Sequence, residues 1–495
     1  MNLPVDACYD FHSYVCGGWE NQQEVPIYKG NFGIYDMLAD KVKTTIQNIL
    51  AGIVPSFTNQ NITDKVGIIF NACMEFENTE DRPDGLVNVL NSYGLGDWPM
   101  LENTTTNATD MLLKTGIIGM FDLFVQRDSQ NSTSHVIQIC QPSMFTAPDD
   151  EYKEAMKQAA LLINPDINET DFMEYIERVV ALRTSAQNIP LLELLNKEFS
   201  KVNINLTEND VVQLHPLNYY EAVDEFMPTF DPTTMFNYAG VRVISTFGEQ
   251  ASKNFRSAFP LHLANYPRGE RSVVCADIIR NKLPAISSYL YEQRCFNASV
   301  KQEVGDIARR IKDSFSEMFQ SSSWIDNTTK TALLDEVEQN YKLYKDIPYI
   351  PINATFVEML HNITERGYRR NLKKLREPNE EREFSSSIGA FYDLQENAVV
   401  IPWGLLQHPI YQYGLPLSLN YGGIGGIIGH AISRAFDAKD ITMSLAENLT
   451  RSEFHNRTQC FVTQYDSFPY FLFGMRSYFV KRFGTSSRLN FKAAT

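Results

Sequence analysis

Gly422-Gly423-Ile424-Gly425-Gly426-Ile427-Ile428-Gly429-His430-Ala431-Ile432-Ser433-Arg434 is the stretch on which the reading of this chain turns. It predicts a glycine-rich, apolar helix over about 423–436. Its last five residues have the spacing of H-E-x-x-H. In that motif two histidines one turn apart bind zinc, and the glutamate after the first is the general base. Here only His430 is present. Ala431 stands at the base position and Arg434 at the second-ligand position. A single histidine on an apolar helix is by itself most often a packed core residue, so the flanks have to decide.

Asn420-Tyr421-Gly422-Gly423-Ile424-Gly425 leads into Ile428-Gly429-His430, and Ala435-Phe436-Asp437 follows. Upstream lie Gly389-Ala390-Phe391-Tyr392 and Asn397-Ala398-Val399-Val400-Ile401-Pro402. Near the start stand Ala7-Cys8-Tyr9-Asp10-Phe11-His12 and Val15-Cys16-Gly17-Gly18-Trp19; Trp324-Ile325-Asp326 with Thr329-Lys330 is a further landmark. Together these resemble the neprilysin and endothelin-converting-enzyme family of zinc metallopeptidases. That family reads N-[FY]-G-G-I-G-x-x-I-G-H-E-x-x-H-G-F-D at the zinc helix and C-x-D-F-x-x-[YF]-x-C-G-G-W near its start. The resemblance spans residues 7 to 465, and residues 466–495 match nothing in it.

The resemblance implies a mainly α fold with a smaller α+β part. A thermolysin-like catalytic domain, incomplete here, would be capped by a larger helical domain. The expected partition is 1–45 as a segment associated with the catalytic domain, 46–347 as the cap, 348–465 as the partial catalytic domain and 466–495 as a divergent tail. Pro348-Tyr349-Ile350-Pro351 reads as the hinge. Cys73 and Cys275 should pair. Cys8, Cys16 and Cys460 match family cysteines whose partners lie in a region not found here. Cys140 and Cys295 match no family position; a bond between them stays open, because sequence does not set connectivity.

For the chemistry, the resemblance supplies zinc as the family's cofactor, held by three protein ligands with a fourth position for water. His430 supplies one ligand. Arg434 cannot supply a second, since guanidinium has no lone pair to offer and repels a dication. Ala431 cannot accept a proton from water. The family's third ligand is a glutamate in E-N-x-A-D. Ala446-Glu447-Asn448-Leu449-Thr450 only echoes it and precedes Cys460, whereas the family motif follows that cysteine, so Glu447 is not carried over. His408 and His455 show no ligand spacing to His430. Gly389 replaces the asparagine that grips substrate backbone, and Ala390 keeps only a backbone role. Leu405, Ile410 and Ile427 match positions lining the side-chain pocket, and core packing explains them at least as well. Asp437 matches the aspartate supporting the helix end. Zinc is therefore expected not to be bound.

The 495 residues suffice for more than one domain. A net charge of −16, from 44 basic against 60 acidic residues, argues against a nucleic-acid partner. Sequons stand at Asn61, Asn103, Asn107, Asn131, Asn168, Asn205, Asn297, Asn327, Asn353, Asn362, Asn448 and Asn456. Their density, like the family, points to a glycosylated extracellular or cell-surface ectodomain. No signal or membrane-spanning segment is read in the chain.

Locally, 33–52 reads as an amphipathic helix through Ile34, Met37, Leu38, Val42, Ile46 and Leu50. Further helices are expected over 64–77, from Asp149 to near Asn164, from Asn168 onward, and over 299–319 and 327–344. Residues 118–126 and 134–141 read as a strand pair, and a strand is expected near 396–402. The aromatic stretch after Ser467 reads as an undesigned end or, alternatively, as a replacement strand pair or membrane-surface patch.

Three functional expectations stand side by side. One is a catalytically inactive metallopeptidase homologue that binds extracellular peptides or acts as a decoy or partner for an active relative. The second is an active zinc metalloendopeptidase cleaving extracellular peptides. The third is a non-functional fragment or faulty gene product.

Overall fold

The computed structural model describes residues 2–25, 32–76, 83–100, 102, 104–116, 121–128, 134–141, 149–182, 191–215, 231–259, 270–323, 347–377, 388–393, 398–434 and 448–466. Helices dominate, with two small sheets. Backbone contacts divide the chain into two compact units. One comprises Met1–Thr45, Cys295–Asp335 and Ser385–Thr495; the other comprises Ile46–Arg294 and Glu336–Phe384.

The larger unit is helical and built around Pro232–Phe247. Asp231 caps this helix by accepting from the Thr234 amide, and proline sits in its first turn, where no amide hydrogen is needed. Phe236, Val241, Val243, Ile244 and Phe247 are all buried, so most of this helix's surface is packed. Trp98 crosses it at Gly240, where a Cβ would overlap the indole. Asn237 is buried and paired through both ends of its side chain: its amide donates to the Met100 carbonyl at 2.6 Å, and its oxygen accepts from the Met100 amide at 2.8 Å.

The expected disulfide between Cys73 and Cys275 is formed, joining helix Ile62–Glu75 to helix Arg271–Lys282. Arg271 reinforces it. Its Nε donates to the Cys73 carbonyl at 2.8 Å, and its guanidinium lies 4.6 Å from the Phe76 ring centre. The expected strand pair is present as β1 (Asp122–Arg127) and β2 (His135–Cys140), antiparallel with Leu123 opposite Ile139 and Val125 opposite Ile137. A third strand, β3 (Val212–His215), runs parallel to β2. The bond left open between Cys140 and Cys295 does not form. Cys140 sits half-buried at the end of β2, with Asp122 and His215 as its neighbours across the sheet, and burial holds its thiol protonated.

The smaller unit contains helices Phe11–Glu20 and Ala298–Ser321, the hairpin of β4 (Phe391–Asp393) and β5 (Ala398–Val400), and helix Gly426–Ser433. Its core joins Leu38, Val300, Val304, Ile307, Leu405, Leu406, Tyr411, Ile424 and Ile428. Each such aliphatic side chain contributes roughly 1.5–3 kcal/mol on burial.

The observed grouping differs from the expected partition. Residues 295–335 fall with 1–45 and 385–495, and residues 336–384 fall with 46–294. Packing is the reason. Helix Ala298–Ser321 places Val300, Val304 and Ile307 against the glycine-rich helix. Helix Phe356–Lys373 instead serves the larger unit: Asn371 donates to the Val125 carbonyl at 3.1 Å and accepts from the Val125 amide at 2.8 Å, pairing with the exposed edge of β1. The expected helix over 327–344 and the landmark at Trp324 lie outside the described residues.

Candidate functional site: a cleft over the glycine-rich helix

The segment predicted as one helix over 423–436 has two parts. Tyr421–Gly425 forms a π-helical turn, and Gly426–Ser433 continues as α-helix. Such widened turns are frequent at functional sites. Glycine alone would not hold this geometry, because it is a poor helix former. Two features hold it. Ile424 and Ile428 are fully buried in the core. Asn420, 1 % exposed, anchors the turn's start. Its side-chain amide donates to Glu303 Oε1 and to the Gln412 carbonyl, both at 3.0 Å, and its oxygen accepts from the Gln412 amide at 3.2 Å. Tyr411 donates to the same Glu303 oxygen at 3.1 Å. Burial, then this bond to the carboxylate, holds the Tyr411 hydroxyl far above its usual range. Neither Glu303 nor Tyr411 was marked by the sequence reading, because their link spans 108 residues of chain.

The helix borders a cleft of about 330 Å³. Gly422, Gly426 and His430 recur every fourth residue along one side of it, which places them on a single helix face. A Cβ on Gly422 or Gly426 would meet nothing within 4 Å, so these glycines keep the floor open. Gly423 and Ile427 complete the helix side, and Tyr35, Gly389 and Ala390 supply the rest of the lining. Gly389 and Ala390 lead directly into β4.

The residues expected at a substrate site therefore separate. Gly389, Ala390 and Ile427 line the cleft with His430. Leu405 does not: it is fully buried in the core. Ile410 packs against that core, and its carbonyl abuts Gly423. The sequence reading missed Tyr35, Gly422, Gly423 and Gly426. The four-residue recurrence ending at His430 was the available signal for Gly422 and Gly426; nothing local marked Tyr35.

His430 is exposed, Ala431 is 0 % exposed, and Arg434 is half-buried at the helix end. His408 is exposed on the loop after Trp403–Leu405, and His455 belongs to helix Asn448–Asp466. Among the described residues no three histidine, cysteine, aspartate or glutamate side chains are placed to share a metal ion. The described donor set does not fit zinc: one imidazole faces the cleft and a guanidinium follows one turn later. Asp437 and Glu447 lie outside the described residues.

Residues 7–182 and 157–341, in two overlapping stretches, match the N-terminal profile of peptidase family M13, and residues 389–476 match that family's second profile. The chain belongs to peptidase family M13. The second match runs past residue 465, where the sequence reading ended the resemblance. The chain is 26 % identical to neprilysin of Homo sapiens, covering 96 % of this chain and 75 % of the relative. It is 24 % identical to neprilysin-1 of Trittame loki, covering 94 % and 76 %. Among solved structures, Mycobacterium tuberculosis zinc metalloprotease Zmp1 in complex with an inhibitor aligns at TM-score 0.68 and 16 % identity, over 93 % of this chain and 78 % of Zmp1. PepO from Lactobacillus rhamnosis aligns at TM-score 0.64 and 14 % identity, over 93 % and 82 %. These structures share the fold. M13 is a zinc-dependent family, and in this M13 chain the glycine-rich helix carries His430 and Ala431 and ends at Arg434.

Proposed function

We propose that this M13 homologue is catalytically inactive and that its cleft holds extracellular peptides without cleaving them. One observation carries the reading: on the cleft-facing helix, His430 is followed by a buried alanine and, one turn on, by arginine. A single imidazole is a weak zinc site, and an alanine gives attacking water no base. The open glycine floor and the strand start at Gly389–Ala390 still leave room for an extended peptide. A decoy role, holding peptides that an active relative would cleave, follows from the same features.

An extracellular, glycosylated location is part of this proposal. The eight sequon asparagines with described side chains, Asn61, Asn107, Asn168, Asn205, Asn297, Asn353, Asn362 and Asn456, are all exposed. The Cys73–Cys275 bond suits an oxidising compartment. No helix among the described residues is long and apolar enough to cross a membrane.

The test is zinc content and peptide hydrolysis of the secreted protein, beside an Ala431→Glu, Arg434→His double variant. The unmodified protein is expected to carry no stoichiometric zinc and to leave peptides intact. Stoichiometric zinc with hydrolysis in the unmodified protein would overturn inactivity and restore the family's metalloendopeptidase activity as the better reading.

A further inference from the structure

Residues 53–60 and 347–352 are tied together within the larger unit. Gln60 bridges them with both ends of its side-chain amide: Nε2 donates to the Ile350 carbonyl and Oε1 accepts from the Ile350 amide, each at 2.8 Å. The Tyr349 hydroxyl donates to the Phe57 carbonyl at 3.2 Å, and Lys65 donates to the Ile347 carbonyl. Ile347 and Ile350 are buried and anchor their segment in the core. The large apolar side chains between these anchors are not buried: Val54 is 93 % exposed, Ile352 77 %, Tyr349 60 % and Phe57 40 %. Four such side chains on two tied segments form an apolar surface that wants a cover.

Two sequon asparagines border the same segments. Asn61 directly follows Gln60, and Asn353 directly follows Ile352. Asn61 is exposed, and its side chain is held by one end only. Oδ1 accepts from the Asp64 amide at 3.0 Å and caps helix Ile62–Glu75, while the Asn61 backbone amide donates to Asp64 Oδ2 at 2.9 Å. Nδ2, the atom to which an N-linked sugar is joined, makes no hydrogen bond to a described residue. Asn107, another capping sequon asparagine, differs: its Nδ2 donates to Asp110 Oδ2 at 2.7 Å. The capping box thus fixes Asn61 by its oxygen and leaves its nitrogen open beside the exposed apolar side chains.

We infer that Asn61 carries an N-linked glycan whose first sugar lies over Phe57 and Tyr349. This inference rests on the extracellular, glycosylated location proposed above. The glycan is joined when Nδ2 displaces the diphosphate of a lipid-linked oligosaccharide: the C1–N bond forms, the C1–O bond breaks and the amide nitrogen gives up one proton. The first sugar, N-acetylglucosamine in β linkage, presents the axial C–H groups of C1, C3 and C5 on one face. The negative face of an aromatic ring suits those groups. A protein partner fits this surface less well, because bulky, hydrated glycans at Asn61 and Asn353 would stand at its edges.

Hydroxyl-radical footprinting of the whole secreted chain, expressed with high-mannose glycans, tests this. Mass spectrometry reads both the occupancy of Asn61 and the oxidation of Tyr349 and Phe57. Asn61 is expected to be occupied. Tyr349 is expected to oxidise about twofold or more slowly than in Thr63→Ala, since a ring covered on one of its two faces loses about half of its accessible surface. Thr63→Ala removes the sequon and keeps the cap; Asn61→Asp, which keeps a capping oxygen, should match it. Trimming with endoglycosidase H to the single protein-linked sugar should preserve the protection, and loss of protection on trimming overturns the assignment to the first sugar. Protection that persists in both variants and disappears in Asn353→Gln overturns the assignment to Asn61 in favour of the neighbouring sequon. Equal oxidation with Asn61 occupied overturns the inference and leaves the glycosylated location standing. An unoccupied Asn61 overturns the inference; if every sequon is unoccupied, the glycosylated location falls with it.

Discussion

Gly423 lies so close to the carbonyl oxygen of Ile410 that a Cβ on the glycine would overlap it. The π-helical turn therefore packs backbone against backbone, and that contact sets the height of the cleft floor. Gly423→Ala is expected to destabilise the protein by about 2 kcal/mol, since the obstacle is main chain and cannot swing aside. Gly426→Ala meets nothing within 4 Å and replaces the poorest ordinary helix former. It should stabilise by about 0.5–1 kcal/mol. Chemical denaturation of the two variants checks both signs. Similar losses in both would mean that the close approach at Ile410 does not set this turn.

His361 makes the larger unit sensitive to pH. It is buried between the rings of Tyr93 and Phe247, with centroids 5.3 and 5.5 Å away, and its Nε2 lies 3.1 Å from Ser92 Oγ. Burial holds its imidazole below the ordinary value of 6.5; Arg369 and Lys201 push the same way, while Glu365 opposes them. The fold thus favours neutral histidine, and the unfolded chain takes up the proton first. This contribution to stability is present above pH 6.5 and is lost as pH falls from there toward the lower folded value. In urea titrations the unmodified protein should lose more stability between about pH 7.5 and 5.5 than His361→Gln does. Identical pH slopes would remove His361 as the cause.

Sequon and helix cap coincide at Asn297. Its side chain accepts from the Val300 amide at 3.1 Å and starts helix Ala298–Ser321. Asn297→Ala is expected to cost about 1 kcal/mol through the lost cap. Ser299→Ala removes the sequon and keeps the cap, so it should abolish any glycan at Asn297 with little loss of stability. Glycan occupancy by mass spectrometry, together with melting temperature, separates the two roles.

The Cys73–Cys275 bond closes a sequence separation of 202 residues. In the chain-entropy account so long a loop gives about 5 kcal/mol, and removal of native bonds typically costs about 2–5 kcal/mol. The double change Cys73→Ser, Cys275→Ser should lower stability within that range. It should also impair secretion. Unchanged denaturation midpoints would show that the helices hold their places without the bond.

Much of the secondary structure was legible because its signals are local. The 3.6-residue period placed a helix over 33–52, and the structure has it at Ile34–Ala51. The acidic first turn at Asp149 and the turn at Asn164-Pro165 bracketed helix Asp149–Ile163. β-Branched runs located β1 and β2. β3 was missed, since four residues carry little pattern and its partner lies some seventy residues earlier in the chain. Leu405 and Ile427 looked alike as apolar pocket candidates. Only packing separates them, with one sealed in the core and the other facing the cleft.

The sequence by itself determined which residue types stand at the H-E-x-x-H spacing in this M13 chain: histidine at 430, alanine at 431 and arginine at 434. Nothing about folding can change what an alanine or a guanidinium is able to ligate. The tertiary structure decided which distant segments share a core. It brought Val300 and Ile307 to Ile424 and Ile428, tied Asn420 to Glu303, and gathered Gly389, Tyr35 and His430 around one cleft. Those pairings depend on shape complementarity and burial between segments far apart in the chain, and no local pattern of residues encodes them.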